Sequence, residues 1–364
     1  MFYIYILIVI TVVAGLGIKK KETMTESNLT FDDTSALKGL AAMLVLLHHL
    51  GQASLLSETF AKINYSFGWV AVGIFFFLSF YGLTKGWLKD REGYAKKIFT
   101  KKIPRIYIEI VIINIISFAL FYRNAELSSF ESAIRILQLY VFFGFDMITG
   151  YSWFITSILI LYALFGTALL CKRFFEKRLC LLPIITLVVA VIFVVILELL
   201  NAEWWHYRAI LCVPLGVTYA VFENKSNAFS QSRVRYYSSL VAAAGLIVLN
   251  WFFEIPLPLL SREYMNALLA CVILVILLQK VDFGKNKLFV FLGKISLEIY
   301  LLQFIILSFT FNIISERSFP ILFACVTANI GAAYLFNVSY SFIKERTVKL
   351  FVRQFKRGRM TKTL

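Results

Sequence analysis

The sequence predicts an all-α, polytopic membrane bundle of about eleven transmembrane helices, with its N-terminus outside and its C-terminus inside. Three observations lead there. Sixty per cent of the 364 residues are hydrophobic and only 16% are charged, against about a quarter charged in a soluble domain. Apolar runs of roughly 17–25 residues recur along the chain, long enough to cross a bilayer as helices and too long for barrel strands. Basic residues gather in alternate loops, the pattern that orients such helices.

The elements follow in order. Residues 1–18 are apolar and run directly into Lys19, Lys20 and Lys21. A signal peptide carries its positive charges ahead of the apolar run, and none stands there, so this segment reads as an additional first span. A polar cytoplasmic linker, 19–33, leads to a ten-span core over 34–343. Its spans lie near 34–51, 68–86, 103–122, 153–171, 180–200, 207–222, 238–253, 266–280, 289–311 and 319–343, and a basic cytoplasmic tail, 344–364, follows. Loops assigned inside carry clusters such as Lys96, Lys97, Lys101 and Lys102, then Lys172, Arg173, Lys177 and Arg178, then Lys225, Arg233 and Arg235. Loops assigned outside are poor in Lys and Arg: 52–67 holds Lys62, 123–152 holds Arg123 and Arg135, and 312–318 holds Arg317. Within the longest of these, residues 128–144 have apolar side chains suited to lying flat on the outer interface.

Several function classes drop out. The net charge of +16 is confined to those loops, so it reads as topology and not as a nucleic-acid surface. Cys171, Cys180, Cys212, Cys271 and Cys325 are scattered without ligand spacing, which implies neither a redox nor a metal site. No internal repeat is evident, which counts against transporter folds built from duplicated halves.

Chemistry concentrates on the first core span. Lys38 and His49 are eleven residues apart, close to three helical turns, so they share a face and stand roughly 16 Å apart along the axis. Ionisable groups inside a span are costly and tend to be used. A neutral imidazole accepts a hydroxyl proton near neutral pH, and a lysine near the inner leaflet pairs with an anion from the cytosol. The structural alternative is that Lys38 snorkels to inner headgroups while His48 and His49 reach the outer interface. Two of the chain's three histidines lie here, which favours chemistry. Trp204, Trp205 and Tyr207 read as an interfacial belt that includes His206, whereas Arg208 and Glu298 sit within spans and need polar or charged partners.

The segment from Lys38 to His49 resembles the first core span of the membrane acyltransferase 3 family, whose pattern is a basic residue, ten residues, then histidine. Here lysine stands where arginine is usual. Four further blocks match in order: Gly73 to Gly82 with Ser79; Lys101-Lys102-Ile103-Pro104-Arg105-Ile106-Tyr107; Trp153-Phe154 opening a span; and Leu292-Gly293-Lys294-Ile295-Ser296-Leu297-Glu298-Ile299-Tyr300. Gln303 stands where many members carry a second histidine.

The resemblance implies a bacterial multi-pass protein of the cell membrane that transfers an acyl group. The donor would be cytosolic acyl-CoA, most often acetyl-CoA, and the acceptor a hydroxyl of an extracytoplasmic carbohydrate, with no bound cofactor. On that reading His49 is the general base, or is itself acylated. Lys38, Lys101, Lys102 and Arg105 meet the donor's phosphates, and Ser79 and Tyr81 are candidate donors to the oxyanion. Trp153, Arg208 and Glu298 complete the candidate substrate-binding set. The rival readings are an exporter or flippase of a lipid-linked or polymeric glycan, and a non-catalytic partner in an envelope complex.

Overall fold

The computed structural model describes residues 19–20, 29–53, 58–171, 174–175, 178–252, 262–314 and 319–360. The expected first span, 1–18, and most of the linker after it lie outside the described residues. Thirteen helices of four residues or more are used below. They are α1 (Phe31–Ala53), α2 (Glu58–Lys89), α3 (Tyr94–Tyr122), α4 (Ser129–Ile136), α5 (Tyr140–Phe143), α6 (Trp153–Leu170) and α7 (Leu181–Leu199). There follow α8 (Cys212–Ser230), α9 (Arg233–Phe252), α10 (Arg262–Leu278), α11 (Lys287–Lys294), α12 (Ser296–Ile313) and α13 (Phe319–Met360). Among the described residues, seven helices are long and apolar enough to cross a membrane: α1, α2, α3, α6, α7, α12 and α13. The chain is thus a multi-pass helical bundle. Its only ladder among the described residues is a two-residue antiparallel pairing of β1 (Lys19–Lys20) with β2 (Val281–Asp282).

Local chemistry sets the start of α1. The Thr30 hydroxyl accepts from the Asp33 amide at 3.0 Å, while Asp33 Oδ2 accepts from the Thr30 amide at 3.1 Å, a reciprocal cap. Asp33 Oδ1 accepts from the amides of Phe283 and Gly284 at 3.1 and 3.0 Å. One buried carboxylate therefore caps the start of α1 and ties it to the turn that leads into α11.

At the centre, α1 packs on α2, α11 and α12, and α2 packs on α8 and α10. Two glycines set the crossing of α1 and α11. A Cβ on Gly39 would lie 2.2 Å from the Phe289 carbonyl oxygen, and one on Gly293 would lie 1.8 Å from that of Ser35. Only bare backbone fits at either place. On the periphery, α7 presents Ile184, Val188, Ile192 and Val195 outward while burying Leu182, Phe193 and Leu197, as a lipid-facing helix does.

The structure corrects three expectations. The span expected at 289–311 is two helices, α11 and α12, broken at Ile295 (φ −113°, ψ 17°). Gly293 and Lys294 before the break and Ser296 after it are helix-end and helix-start residue types, and the expected span ran through them. Glu298 consequently stands in the first turn of a helix and not in mid-span. The span expected from 207 begins only at Cys212, after a 3₁₀ turn over Trp204–His206 and Ala209 in the left-handed region (φ 61°).

His206, expected at the interface, is buried at the end of a directional hydrogen-bond chain. Asn114 Nδ2 donates to Gln138 Oε1 (2.8 Å), and Gln138 Nε2 donates to Thr156 Oγ1 (3.0 Å). Thr156 donates to the Tyr140 hydroxyl (3.3 Å), which donates to His206 Nε2 (3.2 Å), and His206 Nδ1 donates to the Glu203 carbonyl (2.9 Å). This chain fastens the 123–152 connection, folded as α4 and α5, to α3, α6 and the 204–206 turn.

Two tests follow from this packing. Gly293→Val is expected to destabilise the protein by about 3 kcal/mol or more, whereas Gly82→Ala, with nothing within 4 Å of its added Cβ, is expected to be neutral or slightly stabilising. Melting temperatures in detergent compare them; equal effects would refute the close crossing. Burial holds the His206 imidazole below its ordinary value of 6.5. Its contribution to stability is therefore present above that value and is lost as the pH falls from 6.5 through the lowered one. Wild type is expected to lose more melting temperature than His206→Gln between pH 7.5 and 5, and parallel losses would contradict the neutral assignment.

Candidate functional site

Two cavities border α1. The first, about 410 Å³, is lined by Lys38, Lys102, Arg105 and Lys294 together with Ser79, Ser296, Phe154 and Tyr162. Its cations come from three helices. Lys38 lies beside Gly39, so the close approach of α11 brings Lys294 to the same space. In α3, a π-helical turn over Ile98–Lys102 shifts the register. Lys101 is left exposed and away from the cavity, while Lys102 lines it with its ammonium 5.7 Å from the Tyr94 ring.

Arg105 is fixed by two fully buried carboxylates. Its Nε donates to Glu109 at 2.9 Å and one terminal nitrogen donates to Glu298 at 3.2 Å, while 45% of the side chain stays exposed. Neither carboxylate lines the cavity. Glu298 thus meets the cavity only by way of Arg105, with Asn337 as a further donor to it. A pocket with four cations on its wall and its nearest acids turned behind one of them suits a polyanion.

The second cavity, about 240 Å³, surrounds His49. His49 Nδ1 lies 2.8 Å from Gln52 Oε1. An amide oxygen only accepts, so Nδ1 carries the proton and Nε2 keeps its lone pair. The ring is further held by stacking on Tyr151, centroid to centroid 3.6 Å at 21°, and by the edge of His48 at 4.9 Å. Trp69, Trp153, Trp204 and Trp205 form the remaining wall. A buried, oriented imidazole with one free nitrogen beside aromatic faces is equipped to take a proton from a hydroxyl.

Tyr300 lines both cavities. Its hydroxyl donates to the Tyr151 carbonyl, so the residue between the cavities also positions the ring stacked on His49. Phe154 packs against Tyr300 at 5.5 Å and against Phe75 at 5.9 Å, which completes an aromatic layer.

The candidates read from sequence divide accordingly. Lys38, Lys102, Arg105 and Ser79 meet at one cavity, and His49 and Trp153 at the other. Arg208 lines neither; its guanidinium stacks on Trp204 and, at 4.4 Å, on Trp69, both walls of the His49 cavity. Lys101 and Tyr81 do not reach the site. The Tyr81 hydroxyl donates 2.9 Å to Glu223 Oε1, which also accepts from the Leu29 amide, while Lys85 donates 2.7 Å to Oε2. Gln52 and Tyr151 were not singled out in the sequence, and Lys294 and Tyr300 stood in a matching block without a role assigned to them. For Gln52 a signal existed, since three residues after His49 is the neighbouring position on the same helix face. For the tyrosines the role arises only from tertiary contact.

The chain is thus a membrane-type helical bundle with a cation-lined cavity at one end of α1 and an oriented histidine toward the other. This chain belongs to the acyltransferase 3 family: the family's acyltransferase domain matches residues 32–338. Neither the curated proteins nor the solved structures yield a match to the chain.

Gln52→Ala is expected to lower the turnover of acyl transfer roughly 10- to 100-fold, short of the 10²–10⁴-fold typical of a general base itself. Gln52→Glu, which keeps an acceptor for Nδ1, is expected to retain more. Unchanged turnover in both variants would remove Gln52 as a positioning residue.

Proposed function

We propose that this protein is an O-acyltransferase of the bacterial cytoplasmic membrane. It moves an acyl group, most often acetyl, from cytosolic acyl-CoA to a hydroxyl of an extracytoplasmic glycan. The observation that carries the proposal is the placement of Tyr300 between a cation-lined cavity and the cavity of His49. The proposed topology has eleven spans with N-terminus out and C-terminus in: a helix at 1–18, a linker at 19–33, a ten-span core at 34–343 and a basic tail at 344–364. It turns the Lys38 cavity to the cytosol and the His49 cavity outward.

On this reading the donor's phosphates sit among Lys38, Lys102, Arg105 and Lys294, and its acyl end passes between Phe154 and Tyr300. His49 Nε2 takes the proton of the acceptor hydroxyl as its oxygen attacks the thioester carbonyl. The tetrahedral intermediate then collapses to the ester, and the carbon–sulfur bond breaks. The thiolate leaves with the proton that His49 returns. Of the two hydroxyls expected at the oxyanion, Ser79 lines the donor cavity and Tyr81 does not. The tryptophans around His49 offer flat apolar faces and N–H donors to a sugar ring. Donor and acceptor are substrates, and no bound cofactor enters the scheme.

Base-labile O-acyl groups on cell-surface glycans, measured by mass spectrometry, test the reading. His49→Ala is expected to lose them at normal protein levels and His48→Ala to keep a substantial fraction. Retention in both would favour glycan export without acyl chemistry. With purified protein, Lys38→Ala is expected to raise the donor's KM about 10-fold and Lys101→Ala less than 2-fold, because only Lys38 reaches the cavity. Equal effects would place the donor elsewhere.

A further inference from the structure

A third cavity, about 480 Å³, lies away from both candidate substrate cavities, between α8, α9 and α10. It is a groove with two chemically distinct ends. Along its length the walls are apolar, with Leu215, Phe222, Leu246, Leu269, Val272 and Val275. Toward the end where α8 finishes, α9 begins and α10 finishes, the lining becomes Ser226, Ser230, Ser239 and Gln279. Gln279 is 7% exposed. Its Nε2 donates to Ser226 Oγ at 2.9 Å, and its Oε1 has no hydrogen-bond partner among the described residues.

Three cations lie near the groove without lining it: Lys225 and Lys280 adjoin the lining Ser226 and Gln279 in sequence, and Arg235 sits on the lining Phe229. Lys280 lies over the Tyr236 ring at 3.6 Å and near Tyr237 at 4.9 Å; Arg235 lies over Phe229 at 5.2 Å and Lys225 over Phe222 at 5.5 Å. Among the described residues none of the three is in an ion pair, and the sequence holds no acidic residue from 224 to 253. This contrasts with Arg105 and Lys85, whose charges are met by buried carboxylates. Cations laid on aromatic faces keep their charge available to a second partner.

We propose that this groove binds an anionic phospholipid of the surrounding bilayer. One acyl chain lies between α8, α9 and α10, the phosphate sits among Lys225, Arg235 and Lys280, and a headgroup hydroxyl donates to Gln279 Oε1. Phosphatidylglycerol supplies this combination: two acyl chains, of which one fills the groove, one net negative charge on its phosphate, and a hydroxylated head. Basic pockets between membrane helices at the cytoplasmic side recognise such heads in general, and with the topology proposed above this end of the groove faces the cytoplasmic leaflet. The groove also meets a bend. Phe222 has non-helical angles (φ −109°, ψ 16°) and lines the groove, while the adjoining Glu223 holds Lys85, Tyr81 and the Leu29 amide. An acyl chain seated on Phe222 supports the bend that aims Glu223 at its three donors.

Native mass spectrometry of the full-length protein in detergent tests this, with phosphatidylglycerol and phosphatidylcholine of identical chains as probes. Wild type is expected to prefer phosphatidylglycerol, with each of the three cations contributing about 5-fold. The triple variant Lys225→Gln, Arg235→Gln, Lys280→Gln is expected to bind the two lipids alike. Ala242→Phe, placed on an exposed groove position, is expected to lower occupancy by both. If the triple variant does not fold, Lys280→Gln alone is expected to cut the preference about 5-fold. Equal binding of the two lipids by wild type, or a preference unchanged in the charge variants, would overturn the site and leave only annular lipid. Because the readout is lipid binding and not acyl transfer, the outcome is independent of whether His49 is catalytic.

Discussion

Glycines at 39 and 293 let the backbones of α1 and α11 touch, and the geometry of the candidate site depends on that contact. In a bilayer the apolar effect gives helices little reason to pair with one another rather than with lipid, so close packing of small residues has to supply it. Lys38 precedes the first glycine and Lys294 follows the second, so the same crossing that holds the helices together brings two like charges to one cavity. Asp33 fixes the other degree of freedom, the position of α1 along its axis, through the amides of Phe283 and Gly284. Eleven residues further along α1 from Lys38, His49 inherits its depth from both restraints.

Three buried acids of the bundle each sit on a cation. Glu109 and Glu298 share Arg105, and Glu223 takes Lys85. Each carboxylate is buried while its cation reaches outward, an arrangement that satisfies the expensive group and still presents positive charge at an edge. Other cations rest on aromatic rings, as Arg208 does on two tryptophans and Lys280 on two tyrosines. The abundance of Phe and Tyr is thus more than filler for an apolar interior.

Much of this was legible in the sequence, and the reasons for the rest are specific. Lys38 and His49 share a face because helical period is a property of the chain alone, and both do line cavities. The break at Ile295 is marked only by short local signals, Gly293 and Lys294 before it and Ser296 after it, inside a segment whose length suits one span. Lys101 and Lys102 look equivalent as a pair, yet a π-helical turn sends one out and one in. Tyr81 sat in a block that pointed to the substrate, but Glu223, 142 residues away, claims its hydroxyl. Glu223 itself fell one residue past the expected end of a span and so looked like loop. His206 has two hydrogen bonds of its own, one of them to a tyrosine 66 residues earlier, which no local pattern encodes.

The aromatic layer of Phe75, Phe154 and Tyr300 has an electrical meaning. Two cavities approach it from opposite ends of α1 and share only Tyr300 among their walls. When hydrated cavities enter a bilayer from both sides, the transmembrane voltage falls mainly across the dry material left between them. A unit charge crossing that short stretch meets the full field, about 2.3 kcal/mol per 100 mV, whereas an uncharged group crosses without electrical work. In the proposed topology the layer is a filter by charge: it holds ions and phosphates on their own side and lets only neutral groups pass.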